Sequence, residues 1–293
     1  MPFYVFTPEQ VIELGESDFR ELSVARGILL ASFSLEEKYR MVMQNYAELE
    51  SEVLQVAVQR TLLPADWMSY SDWVDHTFLF NRRLMNLLAT VKLYEDHAKR
   101  EVSKALGIKR KTVHELFQEY REAREDFAFL CNLRDHAQHF ALPIQQFEFN
   151  SSWEESPKRL VKTISIILDA ESIQEDNRRQ WPDEVTKTKS PRLEPLLRGA
   201  IEALARIHDD LKRRTKEQRE HATALASKWL ASFENSGDGL KFFTAVEGSA
   251  PTNGVIANVQ QRFLVTQELV NRVARSGYVG TVAPTFRDWR IMS

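Results

Sequence analysis

The chain has 293 residues, enough for one large domain or two small ones, and its 43% hydrophobic content supplies an ordinary globular core and excludes a disordered chain. Its 39 basic side chains face 42 acidic ones, so bulk charge makes no case for nucleic-acid binding, and any such contact needs a local basic patch. The single cysteine, Cys131, excludes an internal disulfide and a Cys-rich zinc cage and fits a reducing compartment.

The opening residues, Met1 to Glu9, carry no basic region, and apolar stretches such as Gly27 to Ala31 are too short to span a bilayer, so a soluble cytoplasmic chain with no membrane contact is expected. Helix-start signals, a side-chain oxygen often followed three residues on by Glu or Gln, fall at Thr7, Asp18, Ser34 and Thr112. After Ser34 the apolar positions Tyr39, Val42, Tyr46, Leu49, Val53 and Val56 step by three and four, which predicts a helix to about Arg60, ended by Leu63-Pro64. A second helix should begin near Ser71-Asp72, bury Leu84, Leu87, Leu88, Val91, Tyr94, Ala98 and Val102, and stop at Gly107. A third starts at Thr112 and buries Val113, Leu116, Phe117, Tyr120, Phe127 and Leu130, with Pro143 closing the segment that follows.

Ile144 to Asn150 alternates apolar and polar residues, and Leu160 to Leu168 is β-branched, which predicts a hairpin. The charged run from Glu171 to Ser190, broken by Trp181-Pro182, reads as a linker or mobile loop. Pro191 opens a long helix through Leu193, Leu197, Leu204 and Leu211, continuing to Trp229 and Phe233 and ended by Gly237-Asp238-Gly239. Leu240 to Val246 could add a strand, and Val255 to Arg275 reads as a last helix stopped at Gly277. There is no internal repeat.

Chemistry concentrates in Arg134-Asp135-His136-Ala137-Gln138-His139. Arg134 offers a permanent cation that holds phosphate in a fork, and His139 titrates near neutral pH. Asp135, four residues before His139, would share its helix face and could hold the imidazole in one tautomer. Arg134 lies about 140° round the helix from His139 at ~100° per residue, so the two converge only if the side chain curls or the helix is irregular. Spacing alone is weak, since roughly two chance matches to Arg-x4-to-6-His are expected in such a chain, and Arg214 to His221 is a second one, in a run that reads as a solvated face. His136 and His139, one turn apart, lack the further ligands a zinc or iron site needs, and no His has Glu three residues before it, which excludes a di-iron bundle. Cys131 has no activating neighbour in the sequence and reads as a small apolar group. Lys109-Arg110-Lys111 stands just before a helix N-terminus, where the dipole disfavours cations, and is a candidate binding patch. Asn81, Arg82 and Arg83 are candidates to face the motif from a neighbouring helix.

The run Phe80-Asn81-Arg82-Arg83-Leu84-Met85-Asn86-Leu87-Leu88, followed by Leu133-Arg134-Asp135-His136-Ala137-Gln138-His139-Phe140-Ala141-Leu142-Pro143, resembles the HEPN superfamily of prokaryotic helical proteins over residues 35 to 170. The resemblance implies a mainly α fold, an antiparallel helical bundle with a small β-hairpin, and leaves the rest of the chain unmatched; with the readings above, the expected division is bundle plus hairpin over 1–170, a charged linker over 171–190 and a C-terminal helical extension over 191–293. It further implies a metal-independent, cofactor-free endoribonuclease of toxin-like or defence type, in which motifs of two subunits meet across a homodimer interface and RNA is cut by its own 2′-hydroxyl. Carried onto this chain, His139 becomes the general acid/base, Arg134 the phosphate clamp and Asp135 the polar residue after the arginine. Relatives that bind nucleotides or partners without cutting supply the alternative, a catalytically silent interaction module, and a protein partner or antitoxin of unknown identity is a further expectation for this chain.

Overall fold

The computed structural model describes residues 2–7, 10–62, 69–155, 158–233, 242–249, 259–276 and 290–292. They are mainly helical, with two small antiparallel sheets. The elements run β1 (Phe3–Phe6), β2 (Val11–Leu14), α1 (Glu16–Leu62), α2 (Tyr70–Leu106), α3 (Arg110–Ala123), α4 (Glu125–His139), β3 (Ile144–Glu155) and β4 (Lys158–Leu168). They continue as α5 (Ala170–Glu175), α6 (Asp183–Thr186), α7 (Leu193–Arg214), α8 (Lys216–Ala231), β5 (Phe242–Glu247), β6 (Gln261–Thr266), α9 (Gln267–Ser276) and β7 (Arg290–Met292).

Two compact units share these elements. The first comprises Met1–Glu37, His97–Val113 and Asp210–Gly280, and the second Lys38–Asp96, His114–Asp209 and Thr281–Ser293. This partition replaces the expected division at 170 and 190. The residues from 191 onward are no separate helical extension, because α7 contributes to both units, β5 pairs with the N-terminal strand β1, and β6 pairs with β5.

In the first unit the strand order is β2-β1-β5-β6, antiparallel throughout. Its core gathers Val5 and Leu14 from the first hairpin, Phe19, Leu22 and Leu29 from α1, Ala222, Ala226 and Leu230 from α8, Phe243 and Val265 from the sheet and Val270 and Val273 from α9. The helix start expected at Thr7 is instead the β1–β2 turn, where the Thr7 hydroxyl accepts from the Gln10 amide at 3.2 Å. The start expected at Ser34 lies inside α1, because the stripe Phe19, Leu22, Ala25, Ile28, Leu29 already runs at helical spacing upstream of it. The last expected helix is a strand followed by a ten-residue helix, and Gly237 to Gly239, Gly277 and Leu63-Pro64 lie outside the described residues.

Helix α2 starts at Tyr70 on a capping box whose cap residue, Ser69, lies two residues before Ser71: the Ser69 amide and hydroxyl both donate to Asp72 Oδ2 at 2.8 Å, and the Ser69 hydroxyl accepts from the Asp72 amide at 3.2 Å. These bonds hold the Asp72 carboxyl below its usual range, the backbone amide of Ser69 being the largest cause. Its end is the expected one. Gly107 adopts φ 65°, a left-handed conformation natural to glycine, and the Ile108 amide donates back to the Ser103 carbonyl at 3.0 Å.

In the second unit the buried stripes expected for α1 and α2 are present: Val42, Leu49 and Val53 on one, Leu84, Leu87, Leu88, Val91 and Tyr94 on the other. Arg83 of α2 reaches Glu52 of α1 at 3.1 Å, and Arg198 of α7 forks onto buried Glu50 with both contacts at 3.2 Å. The hairpin β3–β4 is longer than its apolar pattern suggested, paired from Gln146↔Ile167 to Glu155↔Lys158 and flanked by β7.

The expected third helix is two helices. Arg124 breaks it in an extended conformation (φ −132°, ψ 102°) and turns its guanidinium onto Asp126 at 2.7 Å and onto the Gly199 carbonyl of α7 at 3.3 Å. That contact explains Gly199, since a Cβ there would lie 2.2 Å from Asp126 Oδ2. Gly199→Ala should therefore cost about 1–3 kcal/mol through overpacking, despite alanine's better helix propensity. Urea unfolding with an unchanged or higher midpoint would contradict the close approach.

Candidate functional site

Helix α4 carries the motif in its last turns. Its acidic first turn (Glu125, Asp126) suits a helix N-terminus, and its buried face runs Phe127, Phe129, Leu130, Cys131, Leu133 and His136. The helix stops where the Phe140 amide donates to the His136 carbonyl at 2.8 Å. Arg134 is held on both sides: one terminal nitrogen lies 2.8 Å from Asp135 Oδ1 and the other donates to Gln138 Oε1 at 3.1 Å, leaving its side chain 18% exposed. His139 is exposed, and neither ring nitrogen has a partner among the described residues. The expected role of Asp135 as a clamp on His139 is corrected here: its carboxylate is occupied by the adjacent guanidinium, whose long flexible stem can reach it.

His136, for which the sequence reading found no role, is fully buried and bonded at both nitrogens. Nδ1 lies 3.1 Å from Asp176 Oδ2 and Nε2 lies 3.3 Å from the Ser172 hydroxyl. A carboxylate only accepts, so Nδ1 is the donor in this bond. Burial would raise the Asp176 carboxyl, but the His136 hydrogen bond and the charges of Arg179 and Arg178 outweigh it and leave it below the usual carboxylate range. The order Ser172, His136, Asp176 is that of a nucleophile relay. Here the ring is sealed from solvent and Asp176 also accepts from Arg178 and Arg179, so the arrangement is a clamp.

What it clamps is the segment expected to be a linker. Residues 170–190 form α5 and α6, pinned by fully buried Ile173 and Val185, by Asp169 capping the Ser172 amide at 3.1 Å, and by Trp181, whose indole N–H donates to the Asp176 carbonyl at 3.3 Å and whose ring meets those of His136 and Phe129 edge-on. Two anchors in two short helices leave no periodicity to read, so the charged surface dominates the sequence.

The remaining candidates separate. Asn81 is a structural residue: its buried amide donates to the Ile144 carbonyl at 2.9 Å and accepts from the Ile144 amide at 3.1 Å, fixing the start of β3. Arg83 is engaged with Glu48 and Glu52, and Arg82 is exposed. Lys109, Arg110 and Lys111 are exposed around the start of α3 and belong to the first unit, whereas the motif belongs to the second. Cys131 is buried, which pushes its thiol up, against a smaller opposing influence of Arg121. His221 is exposed beside Glu21 at 3.2 Å.

Segment 178–182 and α4 enclose an open cleft of about 900 Å³, lined by Arg121, Asn132, Asp135, Arg178, Arg179 and Trp181 among others. Asp135 belongs both to the motif and to this wall. Among the described residues no group of three His, Cys, Asp or Glu could hold a metal ion, and no helix is long and apolar enough to cross a membrane. Comparison with family models, with curated proteins and with solved structures returned no match.

The two histidines of the motif should respond oppositely. His136→Ala leaves buried partners unpaired and should cost about 2–5 kcal/mol, whereas His139→Ala should stay within about 0.5 kcal/mol of wild type in urea unfolding. Equal midpoints would refute the clamp. For Asp176 the folded-state value is depressed, so its stabilisation is complete above the unfolded carboxylate pKa of about 4 and is lost as pH falls through the folded value. The stability gap between wild type and Asp176→Asn should accordingly narrow below about pH 4, and a gap unchanged at pH 3 would contradict it.

Proposed function

We propose that the chain is a metal-independent endoribonuclease of HEPN type whose working unit is a homodimer, with Arg134 and His139 of two copies meeting at one site. The observation that supports it is the contrast within the motif: His136 is consumed by buried hydrogen bonds, while His139 is exposed, with neither ring nitrogen partnered among the described residues, on the final turn of the helix that carries Arg134. In the reaction a neutral His139 takes the proton of the RNA 2′-hydroxyl as that oxygen bonds to phosphorus. The imidazolium so formed gives that proton to the departing 5′-oxygen. Arg134, held by Asp135 and Gln138, balances charge gathering on the phosphoryl oxygens. The products are a 2′,3′-cyclic phosphate and a 5′-hydroxyl.

The engagement of Arg134 by Asp135 and Gln138 favours the second reading, a silent interaction module, because a committed guanidinium is less available to phosphate.

His139→Ala should lower the cleavage rate by roughly two to four orders of magnitude while the fold is retained, and Arg134→Ala should also be severe. EDTA should leave activity intact, DNA should survive, and His221→Ala should be silent. Wild type and His139→Ala equally inert on a broad RNA panel, both folded, would leave the silent module as the account.

A further inference from the structure

The segment 178–182 ends up facing α4 because Asp176 is locked to His136, and the cleft between them presents a consistent set of groups. Arg178 is 64% exposed and uses only Nε on Asp176, at 3.4 Å, so its terminal nitrogens face outward without a partner among the described residues. Arg121 lines the same cleft, as does half-buried Trp181, whose ring meets that of Phe129 edge-on. The α4 wall from Glu125 to Asp135 is ~15 Å long at 1.5 Å per residue, the length of a short stretch of chain rather than of one small molecule.

The charge of the cleft is instructive. Glu122, Glu125 and Asp135 line it together with Arg121, Arg178 and Arg179, so it is no electropositive funnel. Asp135 is neutralised by Arg134, and Glu122 and Glu125 are exposed. Duplex binding, which depends on many neutralised phosphates, has no footing there. An unpaired strand needs few phosphate contacts when a ring can take a base, and carboxylates and amides can read the amino edges of bases.

We infer that this cleft binds single-stranded RNA, Arg121 and Arg178 holding phosphates and Trp181 a base, and leads the strand past Asp135 to Arg134. The inference rests on the ribonuclease reading for its substrate class, and its test separates the two. Full-length protein is titrated with a fluorescein-labelled single-stranded RNA made uncleavable by 2′-O-methylation, across a series of salt concentrations. With two or three arginine contacts, log K should fall against log salt with a slope of about −1.4 to −2, and Arg178→Ala should reduce that slope by about 0.7. Arg178→Ala should also weaken binding by about tenfold or more. Trp181→Leu should weaken it by roughly five- to a hundredfold, with Trp181→Phe, which keeps a ring, nearer to wild type. Because Trp181 also packs on its neighbours, exposed Arg178 is the deciding variant.

His221→Ala, in the first unit, should bind this RNA as wild type does. Unchanged affinity and slope in Arg178→Ala, equal affinity for an RNA duplex, or equally strong competition by a poly-aspartate peptide would each overturn the cleft assignment. Binding that depends on Arg178 without cleavage of ordinary RNA would uphold the cleft and remove the nuclease. Cleavage by Arg178→Ala and Arg121→Ala at wild-type efficiency would uphold the nuclease and remove the cleft.

Discussion

The buried hydrogen bond between His136 and Asp176 is the constraint on which the rest of the site depends. It joins residues forty positions apart, draws α5 and the following turn onto the motif helix, and thereby gives the second unit a cleft. An ionised carboxylate at 0% exposure is costly to bury. Here the His136 donor and two guanidinium groups offset that cost, and their arrangement in turn fixes where Arg178 and Arg179 stand. The same bond removes His136 from any chemistry and leaves His139 as the exposed histidine of the motif.

The division of labour within six residues follows from helix geometry. His136 continues the apolar stripe of Leu130 and Leu133 and points inward, while Arg134 and Gln138, four apart, share a face and hydrogen-bond along it. His139, about 140° from Arg134 at ~100° per residue, cannot meet it within one regular helix. A second copy of the motif supplies the missing partner in the proposed site, which is why assembly and chemistry are one question for this chain.

Elements whose partners are local were legible in the sequence. The stripe of α2, its glycine stop at Gly107 and the β3–β4 hairpin all depend on residues close in the chain. What was not legible depends on distant partners. The strand β1 is short and pairs with β5, some 240 residues away. The strand β6 sits where apolar residues also fit a helix, and only its pairing with β5 decides. Site residues divide in the same way. Arg134 and His139 are candidates by type and spacing alone, whereas Asn81, a candidate binding residue by sequence, is a structural amide that brackets Ile144. His136 and Asp176 are each unremarkable in sequence, and their relation exists only in three dimensions.

The most direct test of the account is complementation between two inactive chains. Arg134→Ala and His139→Ala proteins are purified separately, mixed, partly unfolded and refolded together, and assayed on RNA. If a site draws its arginine and its histidine from different copies, mixed dimers contain one intact pair and cleavage returns where neither variant alone cuts. Refolded mixtures shown to contain mixed dimers yet as inactive as the separate variants would contradict a site shared between two copies.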